Sequence, residues 1–358
     1  MRVLHVAAGN LYGGVERILE EIARHGRGRH AFAVSFEGRL SSSLAAAGVS
    51  PFALGSVRFS RPWAVWRGRR ELTRVLQRER FDALVGHSPW AYALAVPVAE
   101  RAKARRVLWA HDALDGRHWT ERLVARRRPD LVICNSSYTA GTIGAWLSGV
   151  RTDVVYAPVS PISRNEAVRA DVRAEFGATA GTTVILLASR LERWKGHAEL
   201  LRAAAALRGE WAIWIAGGSQ RPHETGYEMD LRRLASSLPV SERITFLGAR
   251  TDIARILQGC DVLCQPNTAP EPFGLIFVEA LSAGVPVVTS DAGGAREIVT
   301  PDCGVLLVPG DRDALAAALQ ALIDQPALRR VLGTAGPPRA KALCDPATQI
   351  AALEGALA

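Results

Sequence analysis

The sequence predicts an α/β protein of two doubly wound, parallel-sheet domains facing a cleft. Three observations predict it: the length, the alternation of strand-like and helix-like runs, and a proline-broken joint near the middle. At 358 residues the chain exceeds the ~250–300 residues at which a single core stops growing. Short β-like runs alternate with helical ones throughout, as in parallel sheets covered by helices on both faces. The segment Ala157–Pro158–Val159–Ser160–Pro161 interrupts both periodicities.

In the first half, strands are expected near 2–8, 31–36, 50–54, 82–86, 106–110, 130–134 and 152–155. Among the helices between them, Val15, Ile18, Leu19, Ile22 and Ala23 repeat at helical spacing. The second half repeats the scheme near 183–188, 211–216, 243–247, 260–265, 285–289 and 304–308. A second break is expected at Gly336–Pro337–Pro338, before a last helix over 346–357. The expected division is a first domain over 1–158, a second over 159–336, and a terminal helix over 337–358 packing back toward the first. Ligands are expected where the carboxyl ends of strands open.

A hydrophobic share of 48% and a charged share of 22% are those of a soluble globular chain. The longest uncharged run, Leu131–Val150, carries Asn135, three serines, two threonines and three glycines, so a strand–turn–helix is expected rather than a membrane span. A cytoplasmic protein follows as the expectation, with peripheral contact at the inner membrane surface as a further one. Cys134, Cys260, Cys264, Cys303 and Cys344 have no zinc or redox spacing and read as buried free thiols. Residues 1–160 hold 24 Lys/Arg against 13 Asp/Glu (+11), whereas 161–358 hold 20 against 22 (−2). A basic half favours an anionic partner, or it is simply a solvated basic face.

Four elements carry chemistry. In APEPFGLIFVEALSAGVPVV (269–288), Pro272 is expected as the first helical residue, leaving the amides of Phe273, Gly274 and Leu275 as donors for phosphate or a sugar hydroxyl. Glu271 and Glu279 would then be ~12 Å apart along the helix, too far for a glycosidase pair at roughly 5–9.5 Å. They suit opposite ends of an extended ligand, or else an N-cap and a satisfied surface glutamate. In ASRLERWKGH (188–197), Arg190 and Lys195 leave a strand end together and can neutralise a diphosphate, or form a solvated basic loop. Gly13 and Gly14 open a helix directly after the first strand, a turn fit for an anion but without dinucleotide spacing. His111, followed by Asp112, ends a strand of the first domain, as a ligand contact or a structural histidine. Asp311–Arg312–Asp313 has a metal-binding DxD spacing, yet its place before ALAAALQALI fits a helix cap.

Together these elements resemble the retaining GT-B glycosyltransferases, the family 4-like group of glycogen-synthase-like, mannosyl- and glucosyltransferases. The motifs carrying the resemblance are Arg190, Lys195–Gly196, Glu271–Pro272–Phe273–Gly274–Leu275, Glu279, Gly284–Val285–Pro286–Val287 and Gly293–Gly294. The resemblance implies two Rossmann-like domains and transfer of a hexose-type sugar from a nucleotide-diphosphate sugar, UDP first, to an unidentified acceptor. Catalytic roles would fall to His111, Arg190, Lys195 and Glu271. Donor binding would fall to Gly13, Gly14, Arg190, Lys195, Glu271, Phe273, Gly274, Leu275 and Glu279. Neither a metal nor a cofactor is implied, the nucleotide sugar being a co-substrate. Two other readings stand beside it: a GT-B sugar-nucleotide epimerase or hydrolase using the same donor site, and, from the basic half, an anionic-surface or nucleic-acid binding protein. No nucleic-acid partner is expected, since no basic run carries regularly spaced stacking aromatics.

Overall fold

The computed structural model describes residues 1–10, 13–26, 29–219 and 222–358. The chain forms two compact units, residues 1–160 with 344–358, and residues 161–343. Each is built on one wholly parallel sheet, and among the described residues every expected strand is present.

In the first unit the strands are β1 (Val3–Ala7), β2 (His30–Val34), β3 (Phe52–Ala53), β4 (Ala83–Gly86), β5 (Arg105–Ala110), β6 (Leu131–Cys134) and β7 (Thr152–Val154). Their spatial order is β3-β2-β1-β4-β5-β6-β7. In the second they are β8 (Thr183–Ala188), β9 (Trp211–Ala216), β10 (Ile244–Gly248), β11 (Val262–Gln265), β12 (Val287–Ser290) and β13 (Gly304–Leu307), ordered β10-β9-β8-β11-β12-β13. Both orders reverse once, between β1 and β4 and between β8 and β11. Such a switch point opens a crevice at the carboxyl ends of the strands. The central strands are buried at every residue, as in VLHVA and TVILLA, because helices cover both faces and leave no solvated side.

A buried charge cluster fastens the second unit's first helix, Glu166–Glu175, to the sheet. Asp261 accepts from Arg169 and Arg173 and from the amide of Val184 at 2.8 Å. Arg173 also donates to the carbonyls of Gly259, Thr179 and Thr182. Both Asp261 oxygens thus have donors, the condition under which a buried ion cluster is tolerated.

The expected break at Gly336–Pro337–Pro338 is absent, and one helix runs from Pro326 to Cys344 through both prolines. Tertiary packing overrides the local penalty. A Cβ on Gly336 would lie 2.6 Å from the Leu281 carbonyl, so the glycine lets this helix press on the helix Leu275–Ser282. Beyond the prolines Arg339 holds it by donating to the Ile298 and Glu297 carbonyls. The final helix, Pro346–Leu357, belongs to the first unit, and its Glu354 accepts from Arg29 at 3.1 Å. No helix among the described residues is long and apolar enough to cross a membrane.

Replacing Asp261 by Ala should lower stability by about 3–5 kcal/mol, because it strands two arginines in a largely dry pocket. Urea unfolding of the variant measures this, and a loss below ~1 kcal/mol would show the cluster to be ornamental.

Candidate active site

The second unit's switch point gathers the expected cations and one carboxylate. The loop after β8 passes through Arg190 and a short 3₁₀ turn, Arg193–Lys195, and ends at Gly196 with φ +78°. A Cβ on Gly196 would lie 2.0 Å from the Pro266 carbonyl oxygen, so only glycine lets this loop touch the one leaving β11. A backbone bond from Thr268 N–H to the Trp194 carbonyl (2.8 Å) ties the two loops.

That contact delivers Lys195 to Glu271. The ammonium donates to Glu271 Oε2 at 2.7 Å and lies 3.9 Å from the Trp194 ring centroid. Gln265 Nε2 (3.1 Å) and Asn267 Nδ2 (2.9 Å) donate to the same oxygen. The pair is largely buried, the side chains being 12% and 8% exposed. Three donors converge on Oε2, and Oε1 receives none among the described residues, so it is the oxygen left for a ligand hydroxyl. Arg190, on the same loop, is 35% exposed and pairs with Glu192 at 2.9 Å.

The segment after Glu271 differs from expectation. Pro272 is not the first helical residue; the helix is Leu275–Ser282, capped by Gly274 at φ +103°. The reason lies in Glu271's backbone, which forms a parallel bridge with Gly293 and accepts from Gly294 N–H at 2.7 Å. The chain is therefore extended at 271 and turns only at Gly274, whose left-handed conformation excludes a Cβ that would meet the Phe277 ring at 2.3 Å. The helix's leading amides are consequently those of Leu275 and Ile276, rather than of Phe273 and Gly274. The Phe277 amide is taken by the Gly274 carbonyl. Glu279, 2% exposed, stands only four residues into the helix, a rise of ~6 Å from Leu275. The ~12 Å expected from Glu271 does not apply.

In the first unit, Gly13 caps the helix Gly14–His25, and its amide already donates to Glu16 Oε2 at 2.9 Å. A carboxylate of the chain itself thus occupies part of the proposed anion turn. Leu11 and Tyr12, between Gly13 and β1, lie outside the described residues. His111 follows β5. Its carbonyl accepts from Asn135 Nδ2 (2.9 Å), its Nε2 lies 3.0 Å from His87 Nδ1, and its Nδ1 is buried without a partner among the described residues. Burial pushes its pKa down to about 3, so the ring is neutral near pH 7. Asp311 accepts from the Ala314 amide at 2.9 Å, acting as the cap of the helix Arg312–Asp324. Among the described residues no group of three His, Cys, Asp or Glu side chains could hold a metal ion.

Residues 168–339 match the family model of glycosyl transferases group 1, and residues 12–161 that of glycosyltransferase family 4. Over 100% of this chain and 99% of the other, the fold matches the crystal structure of Anabaena HepE in complex with UDP and glucose, with a TM-score of 0.90 and 25% identity. The chain belongs to the GT-B glycosyltransferases. Among curated relatives it is 32% identical over 192 residues to a GDP-mannose-dependent phosphatidylinositol monomannoside mannosyltransferase of Corynebacterium glutamicum, covering 51% of this chain and 47% of the relative. It is 27% identical over 295 residues to the lipopolysaccharide core mannosyltransferase LpsB of Rhizobium meliloti, covering 76% of each. The chain thus spans about half the length of the first relative, and three quarters of the second.

Sequence reasoning missed Gln265 and Asn267, the two amides that position Glu271 in this GT-B chain. Their signal was present: two polar side chains flanking Pro266 at the end of an otherwise apolar strand. It also missed His5, His30, His87 and His197, all buried.

Burial lowers the pKa of each of these histidines below the usual 6.5, to about 4 for His197, where Lys195 adds to the effect. Because the unfolded chain protonates near 6.5 while the folded one stays neutral, unfolding takes up protons as pH falls below that value. Stability should therefore fall from pH 6.5 toward 4, by ~1.4 kcal/mol per pH unit for each histidine fully linked. Urea titrations across that range measure the slope, and His197→Gln should reduce it by one proton's worth. A flat profile would contradict the buried neutral rings.

Proposed function

We propose that this chain is a retaining glycosyltransferase moving a hexose-type sugar from a nucleotide-diphosphate sugar to an acceptor presented at an anionic surface. The observation that carries the proposal is the Lys195–Glu271 pair, held by Gln265 and Asn267 at the β8/β11 switch point beside the leading amides of Leu275 and Ile276. Breaking the anomeric bond leaves negative charge on a diphosphate, and preorganised donors aimed at that charge lower the barrier most.

In this reading Arg190 and Lys195 meet the departing diphosphate. Glu271 Oε1 accepts from a hydroxyl of the transferred sugar, and Glu279 serves the ribose. The amide of Leu275, with the turn through Phe273 and Gly274, faces sugar hydroxyls or phosphate. The first unit's part is His111 toward the donor sugar and Gly13–Gly14 toward the diphosphate. Attack from the face the nucleotide leaves retains the anomeric configuration. The ion pair explains how Lys195 waits in a nearly dry site, since Glu271 balances its charge until the diphosphate does. A UDP-hexose is the first donor to test, because the HepE structure holds UDP and glucose. The Corynebacterium relative is named for GDP-mannose, which makes that donor the second.

The anionic surface is supported by the helix Pro62–Arg78. Trp63 and Trp66 stand 78% and 58% exposed, and Arg58, Arg61, Arg67 and Arg70 are exposed beside them in sequence. No Asp or Glu occurs between Glu37 and Glu71. Exposed indoles among arginines suit a headgroup layer, where amphipathic rings sit and cations meet anionic lipid.

Glu271→Ala and Lys195→Ala should each reduce turnover of the preferred nucleotide sugar by at least ~10²-fold. Calorimetric screening against UDP-, GDP-, ADP- and dTDP-sugars, followed by donor turnover, supplies the assay; near-wild-type rates in either variant would sink the assignment. Nucleotide release without a glycosylated product would instead favour an epimerase or hydrolase.

Trp63→Ala with Trp66→Ala should weaken co-sedimentation with anionic liposomes at low salt and leave turnover of a soluble acceptor analogue intact. Wild-type protein that ignores such liposomes would remove the surface from the proposal.

A further inference from the structure

Four buried histidines form a continuous chain across the first unit's sheet. They belong to four neighbouring strands or strand ends: His30 on β2, His5 on β1, His87 after β4 and His111 after β5. His30 Nδ1 lies 2.9 Å from His5 Nε2, His5 Nδ1 lies 2.8 Å from His87 Nε2, and His87 Nδ1 lies 3.0 Å from His111 Nε2. The rings are thus joined head to tail, always Nδ1 of one to Nε2 of the next. At the outer end His30 Nε2 makes no hydrogen bond among the described residues and lies 3.5 Å from Glu354 Oε1, within ion-pair reach, while the other Glu354 oxygen takes the Arg29 guanidinium at 3.1 Å. At the inner end His111 Nδ1 is buried with no partner among the described residues.

Neutral imidazole has one N–H and one bare nitrogen. Each ring-to-ring bond needs one proton and no more. If His5 carries its proton on Nε2, His30 must be bare at Nδ1 and protonated at Nε2. His5 is then bare at Nδ1, so His87 is protonated at Nε2, and His111 likewise. Only two arrangements satisfy all three bonds: every ring protonated at Nε2, or every ring protonated at Nδ1. Burial lowers the pKa of all four rings, which keeps them neutral and the choice binary.

We propose that Glu354 makes this choice, acting through His30, His5 and His87 as positioning residues that hold His111 with Nε2 protonated and Nδ1 bare. A carboxylate facing His30 Nε2 favours a proton there and opposes a lone pair. The same choice, passed along the row, leaves His111 Nδ1 as an acceptor, never a donor. Resting on the donor-site reading above, it makes His111 an acceptor for a hydroxyl of the donor sugar. The buried, unpartnered Nδ1 is the atom such a hydroxyl would satisfy.

The test is the ¹⁵N spectrum of histidine-labelled protein, in which protonated and bare ring nitrogens resolve, with rings assigned by single substitutions. Wild type should show His5, His30, His87 and His111 all protonated at Nε2. Glu354→Lys should shift all four together toward Nδ1, and Glu354→Leu should leave the four in one shared mixture. If the lysine variant does not fold, the leucine variant carries the test. His87→Phe should cut the row, so that His111 no longer responds to residue 354. Mixed tautomers in wild type, or a Glu354 variant that alters His30 alone, would overturn the proposal. With a donor in hand, Glu354→Lys should lower kcat/KM about three- to tenfold, the loss of one hydrogen bond. The spectrum needs no donor, so absence of sugar transfer would defeat the functional reading while the tautomer pattern stands or falls alone.

Discussion

Everything at the candidate site follows from β11 lying beside β8 with no room between the loops that leave them. That adjacency brings Lys195 to Glu271 across 76 positions of sequence. The approach is closed by a carbonyl oxygen standing where a Cβ of residue 196 would be. Once the loops touch, the rest is local electrostatics. A buried ammonium needs a counter-charge, a buried carboxylate needs donors, and Gln265 and Asn267 complete the set. The carboxylate is thereby fixed in direction before any ligand arrives, which is the preorganisation that transfer chemistry requires.

The strands were legible in the sequence because both sheets are wholly parallel and covered on two faces. Runs such as VILLA within β8 and WAIWIA are apolar throughout, and the turn residues between them end each run cleanly. The start of the 275–282 helix was not legible. Pro272 after Glu271 is a good local helix opening, but the bridge from Glu271 to Gly293 holds that backbone extended, and nothing near residue 271 announces a partner 22 positions away. Pro337–Pro338 misled in the same manner, since local chemistry argues for a break while packing of Gly336 on Leu281 keeps the helix whole.

The candidate residues divide along the same line. Arg190, Lys195 and Glu271 could be picked out because charged groups at strand ends stand out against apolar runs. The supports behind them could not, because an amide such as Gln265 is chemically ordinary until the register of β11 aims it at a carboxylate. The histidine row is the extreme case. His5, His30, His87 and His111 share no spacing, and only the order β2-β1-β4-β5 places them in line.

The five thiols offer a different use of the architecture. All are free and buried, with Cys134 and Cys344 in the first unit and Cys260, Cys264 and Cys303 in the second. Burial also raises the pKa of Cys134 to about 12 and those of Cys260 and Cys264 higher still, which suppresses the reactive thiolate. An alkylating reagent would therefore modify each sulfur only during a local opening, at a rate set by how often that opening occurs. The native chain carries its own clocks for breathing in either half, with no foreign label required.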